Sequence, residues 1–221
     1  MSDDSFIREV NQELRQDQAK ALWRRYGPIA IAAAVLIILL TCAYVGFRYW
    51  NEVRANRSGD AYTQALALAS DGKTDEALAA LKELEQSGYG AYPVLARMRS
   101  ATLAAQSGDA AGAVSTFDAV AADGSVPMSI RDMARLRAAF LLVDHGSYAD
   151  VSSRVETLTA DTNPLRHSAR EALGLAAWKE GRATDALALF DQITDDQTAP
   201  ANTRQRATLM AELIRGSGAA S

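Results

Sequence analysis

Residues 29–47, IAIAAAVLIILLTCAYVGF, limit what this chain can fold into more than any other stretch. The run has no charged side chain, and Thr41 is its only strongly polar residue. At about 1.5 Å per helical residue it spans roughly 28 Å, the hydrocarbon thickness of a bilayer. A core helix of a soluble domain would show a polar stripe, and none is present. Arg24, Arg25 and Tyr26 precede the run, and Arg48, Tyr49 and Trp50 follow it. Cations for lipid headgroups and amphipathic rings for the membrane–water boundary are the expected flanks of a membrane span. The reading is a single N-terminal transmembrane helix over 29–47, with membrane-interface anchors at those six positions.

A cleaved signal fits less well, because the preceding arm is 28 residues long and nothing like Ala-x-Ala follows Phe47. Leu39-Leu40-Thr41-Cys42 places a leucine three before a cysteine, as in lipoprotein signals, but Thr41 stands where Gly or Ala is normal. The expectation is an uncleaved anchor. Arg8, Arg15, Lys20, Arg24 and Arg25 lie on its leading side, against Arg48, Arg54 and Arg57 on the trailing side. That bias favours a cytoplasmic arm over 1–28 and a C-terminal domain across the membrane. Residues 48–57 read as a juxtamembrane helix or linker. Within the arm, Ile7, Val10, Leu14 and Ala21 fall at helical spacing, and Pro28 suits the first turn of the anchor helix.

Residues 51–221 carry 17 basic and 22 acidic side chains, a net of −5. That balance argues against a nucleic-acid partner, which calls for a basic face. The single cysteine, Cys42, lies in the apolar run, so the domain beyond it has neither disulfides nor cysteine-based metal sites.

A repeat organises that domain. Gly72, Gly108, Gly146, Gly181 and Gly216 are spaced by 36, 38, 35 and 35 residues. Five residues after each of the first four stands Ala77, Ala113, Val151 or Ala186; nine after, Leu81, Phe117, Val155 or Phe190. Twelve after come Leu84, Val120, Leu158 and Ile193, and Pro93, Pro127, Pro164 and Pro200 close the units. Each glycine is expected to end a first helix A with a left-handed cap. Helix B follows, its small residue permitting close approach to helix A, and proline marks the start of the next unit. A period near 35 with this layout is a tetratricopeptide pattern. The fold class read from it is all-α: the transmembrane helix, then a tetratricopeptide-like solenoid over 58–216. About four helical hairpins are expected, plus a terminal capping helix from Thr203 to Arg215, and a flexible tail over 217–221. A bend near Ser58-Gly59 is expected where the anchor helix enters the array.

No catalytic constellation is visible. Serines are scattered without a nucleophile elbow, there is no glycine-rich phosphate loop, and no cofactor or metal is expected. His145 and His167 stand on different helices at non-ligand spacing and read as structural. One polar feature does repeat. Arg97, Arg135 and Arg170 lie eleven residues before a repeat glycine, and Arg131 and Arg166 lie fifteen before. Those offsets are i and i+4, one face of helix A. The functional reading is a partner-binding groove for carboxylates. The alternative is intramolecular pairing, with the stems covering apolar surface.

Gly46-Phe47-Arg48-Tyr49-Trp50, followed by Ala61-Tyr62 and the Arg170 to Ile193 hairpin, resembles the YfgM-like ancillary SecYEG translocon subunit family. The likeness extends over most of the chain in layout, while the N-terminal arm is longer and the C-terminal TRQRATLMAELIRG differs. The resemblance implies a single-pass protein of the bacterial inner membrane with a periplasmic repeat domain. Its implied partners are Sec translocon subunits, a periplasmic chaperone and exported chains, and no catalytic residues come with it. The expected function is a non-enzymatic adaptor beside the translocon. The alternative is a membrane-anchored scaffold for cell-envelope assembly or cell division.

Overall fold

The computed structural model describes residues 3–219, with side chains described for 20–29 and 31–219. The apolar positions Ile7, Val10 and Leu14 of the arm, and the end of the tail at 220–221, lie outside the described side chains. Among the described residues the fold is all helical: α1 (Asp3–Ser70), α2 (Thr74–Ser87), α3 (Tyr92–Gln106), α4 (Ala110–Ala122), α5 (Met128–His145), α6 (Tyr148–Val155), α7 (Arg166–Lys179), α8 (Ala183–Asp195) and α9 (Ala201–Ser217). A short 3-10 turn, Glu156–Thr159, extends α6. The chain divides into two compact units, 1–56 and 57–221, and α1 contributes to both.

In the first unit α1 is long and apolar enough to cross a membrane, with a mean hydropathy of 2.6 over its most apolar window and none of that window buried. Ile29 through Phe47 turn their large apolar side chains outward, as a lipid-facing helix would. Pro28 lies inside α1 and not at a helix start. Neither Pro28 nor the Gly27 before it ends α1, whose hydrogen bonds on both sides offset the one a proline forgoes. Arg24, Arg25, Tyr26, Arg48, Tyr49 and Trp50 are all exposed. Arg25 stands over the Tyr26 ring at 5.8 Å, and Arg54 over Trp50 at 5.1 Å.

The second unit is a stack of helical hairpins. The end of α1 shares an apolar cluster with α2, α3 pairs with α4, α5 with α6 and α7 with α8, and α9 packs on α8 as an unpaired last helix. All twelve residues placed five, nine and twelve after the repeat glycines are buried. They fall into four apolar clusters, each joining one hairpin to helix A of the next. Stability in such a stack comes from each unit and its neighbour interfaces, with no shared centre. The helix A residue seven before each of the first four glycines is small and buried: Ala65, Ala101, Ala139 and Gly174. Gly174 is required where it stands, because a Cβ there would sit 2.9 Å from the Phe190 ring.

Gly72, Gly108 and Gly181 take left-handed conformations with φ of +78°, +92° and +75° and end their helices as the spacing predicts. Gly146 does not, having φ −125° and ψ −167°. Here Lys179 Nζ caps the end of α5, donating to the carbonyls of Val143 at 2.9 Å, Asp144 at 2.8 Å and Gly146 at 3.2 Å. The chain then runs extended into the capping box of Ser147 and Asp150 that opens α6. The fifth turn also differs. Gly216 lies within α9, and Gly218, with φ +70°, is its C-cap. Ile214 of that helix is buried with Ala207 and Ala211, whereas Leu209 and Leu213 face outward. No break occurs at Ser58-Gly59. Instead Ser58 Oγ accepts from the Tyr89 amide at 2.9 Å, and the Tyr92 hydroxyl sits against Gly59, which ties α1 to the start of α3.

Candidate protein-binding groove

The face made by the A helices carries a recess in the second unit. Its volume is about 550 Å³, and α1, α3 and α5 line it without help from any B helix. Tyr62 and Leu66 come from α1, and Leu95, Met98, Arg99 and Thr102 from α3. Ser129, Ile130, Met133 and Arg137 come from α5. Consecutive repeats contribute the same register: Leu95 and Arg99 lie thirteen and nine before Gly108, and Met133 and Arg137 thirteen and nine before Gly146. Each pair is i and i+4, so it presents one apolar and one cationic side chain side by side on the same helix face.

The two guanidiniums of the recess have little to hold them. Arg99 makes no ion pair among the described residues, and its Nε is buried without a hydrogen-bond partner. Arg137 donates to Thr102 Oγ1 at 3.2 Å, a hydroxyl that itself donates to the Met98 carbonyl at 2.9 Å. No lining side chain is acidic. The surface is therefore a mixed one: apolar side chains of Leu, Met and Ile around a pair of under-partnered cations.

The five arginines read from the sequence sit elsewhere on their helices and do not form a continuous row. Arg97 pairs with Asp123 at 3.1 Å, and Arg131 Nε donates to the Ala121 carbonyl at 2.9 Å, so these two converge on the end of α4. Arg135 pairs locally with Asp132 at 2.8 Å. Arg166 pairs with Asp196 at 3.0 Å beyond the end of α8. Arg170 reaches Asp161 at 2.5 Å and the Thr159 carbonyl at 2.9 Å. Four of the five thus clasp the last turn of a B helix, where free carbonyls and the negative end of the helix dipole favour a cation. This is the intramolecular alternative. The residues −15 and −11 turn toward the B layer, and −13 and −9, two residues on, face the recess. The signal that finds Arg99 and Arg137 was present as the same nine-residue offset recurring in adjacent units.

The remaining polar contacts hold repeats together. Arg206 of α9 forks onto the buried Glu171 of α7, with Nε–Oε1 2.5 Å and Nη2–Oε2 2.8 Å. Arg154 of α6 forks onto Asp118 of α4 at 3.0 and 2.7 Å. Asp196 is held well below the usual carboxylate range, first by the Thr198 hydroxyl and amide and then by Arg166. His167, buried beside it with Nε2 3.4 Å from Asp196, is pushed below the usual histidine value by burial and then by Arg166. His145 ends α5 and is exposed.

A family model for the tetratricopeptide repeat-like domain matches residues 20–192, most of the chain. No curated protein and no solved structure matches it significantly. The match takes in the apolar segment of α1 as well as the four hairpins. A tetratricopeptide array is a scaffold for contacts between proteins, and its stacked A helices here present a recess suited to one. The chain belongs to the tetratricopeptide repeat-like domain family.

Proposed function

We propose that this protein is a membrane-anchored adaptor whose hairpin array binds protein partners in the groove of α1, α3 and α5. The observation that carries the reading is the groove itself: an open apolar face with Arg99 and Arg137 unmatched by any acid. A face that only stabilised the stack would resemble the other side of the same helices, where Arg97, Arg131 and Arg135 are engaged within the chain. In this reading residues 29–47 span the inner membrane of a bacterium, 1–28 lie in the cytoplasm, and the array over 58–216 is periplasmic. Support for the topology is the excess of basic residues on the leading side of the span. Support for the setting is the resemblance of GFRYW and the Arg170 to Ile193 hairpin to ancillary subunits of the Sec translocon. The partners proposed on that basis are translocon subunits and a periplasmic chaperone, with exported chains as their common client.

A photo-crosslinking residue installed at position 133, in intact membranes, is expected to form adducts with translocon or chaperone subunits. Adducts with neither overturn the proposed setting. A compartment-sensitive reporter fused after Ser221 is expected to report the periplasm, and a cytoplasmic signal overturns the topology.

A further inference from the structure

The charge of the groove is opposite to that of the domain around it. Residues 51–221 carry 17 basic and 22 acidic side chains, yet no acid lines the recess between α3 and α5. Cations left without counter-charge in a concave recess attract anionic groups more strongly than the same cations on a convex surface. Among the described residues Arg99 makes no ion pair, so an incoming carboxylate displaces no acid from it. Arg137 gives up only one long bond to a neutral hydroxyl. Around both lie Leu95, Met98, Ile130 and Met133, flexible or branched apolar side chains that adapt to an apolar surface.

We propose that the occupant of this groove is an acidic amphipathic polypeptide segment of a partner protein. Its apolar side chains lie on Met98, Ile130 and Met133, and its Asp or Glu carboxylates meet Arg99 and Arg137. The two guanidiniums stand on different helices with apolar residues beside each. That arrangement matches carboxylates spaced along a segment better than the single carboxylate at a chain end. The proposal rests on the groove reading above and specifies the chemistry of its partner.

The test uses the full chain in phosphatidylcholine nanodiscs and two fluorescent amphipathic peptides, with empty nanodiscs as the background. The peptides share every apolar residue and differ only in carrying Glu or Gln at their polar positions. The Glu peptide is expected to bind about tenfold or more tightly than the Gln peptide. Arg99→Gln and Arg137→Gln should each remove most of that difference, and added salt should shrink it. Met133→Glu should weaken both peptides. Equal binding of the two peptides, or a Glu preference untouched by Arg99→Gln and Arg137→Gln, overturns the acidic occupant while Met133→Glu still reports the groove. Binding of neither peptide, or binding indifferent to Met133→Glu, overturns the groove reading and this proposal with it.

Discussion

The two halves of the hairpin stack use the same positions for different ends. In the half built from α7, α8 and α9, the register that faces the groove elsewhere holds Ser168 and Ala172, the latter fully buried. The neighbouring polar residues there are bound within the chain: Glu171 by Arg206, Asp196 by Arg166, and Arg170 by the Thr159 carbonyl. In the half built from the end of α1, α3 and α5, the register holds Leu95 with Arg99 and Met133 with Arg137, and these stay open. One repeat geometry therefore gives a locked end and a receptive one. The difference lies in side-chain size and counter-charge, because the backbone plan is common to both.

The sharpest way to break that comparison is to truncate one large side chain in each half. Phe190, fully buried against Gly174, is expected to cost about 3–5 kcal/mol when changed to Ala, since the cavity left between α7 and α8 cannot collapse. Met133, 36% exposed in the groove, should cost no more than about 0.5 kcal/mol on the same change. Urea unfolding of the full chain followed by circular dichroism measures both. Similar losses would mean that the groove is part of the core.

A smaller effect is expected from the lock between α9 and α7. Arg206→Ala leaves the Glu171 carboxylate buried without its forked partner, for about 1–3 kcal/mol. The discounted end of that range applies because the Arg206 side chain is itself half exposed. Unfolding of α9 ahead of the rest, seen as faster amide exchange over 201–217, would accompany it. Unchanged exchange in the variant would show that apolar contacts of Ala207, Ala211 and Ile214 suffice.

The smallest effect is a pH dependence, of which the histidine part lies in the locked half. His167 titrates below its usual value in the folded protein, so under mildly acid conditions the unfolded chain takes up a proton that the folded one refuses. Stability is then complete above about pH 6.5 and falls as pH drops below it. Asp196, Asp123 and Asp150 are held low by their turn hydroxyls and amides, so their contribution is present above the usual carboxylate value and lost as pH falls from there through their lowered folded values. His167→Gln should flatten the urea midpoint between about pH 7 and 5 and leave the more acidic loss in place. A midpoint that rises on acidification in the native protein would contradict this assignment.

Much of the architecture was legible in advance because it rests on backbone chemistry. The glycines at 72, 108 and 181 had to be turns since only glycine takes their left-handed conformation without penalty. The buried triplets after the first four repeat glycines followed from helical periodicity, and the uncharged run over 29–47 gives a helix long and apolar enough to cross a membrane. Gly146 and Gly216 show where such reasoning stops. At Gly146 the helix end is satisfied by Lys179, more than thirty residues away in sequence, so no local signal distinguishes it. At Gly216 the helix runs on to Ser217, two residues past its expected end at Arg215, and the cap falls to the next glycine.

The arginines mark the same boundary at the functional face. Sequence alone determined that helix A carries arginines at repeating offsets, because i and i+4 share a face whatever surrounds them. Which of two adjacent faces looks into the B layer and which into open space depends on how the hairpins rotate against one another, and only packing decides that. A shift of two residues separates Arg97, clasped by Asp123, from Arg99, whose Nε has no acceptor. Two residues turn a helix by about 200°, enough to carry a side chain from an internal clasp to a groove.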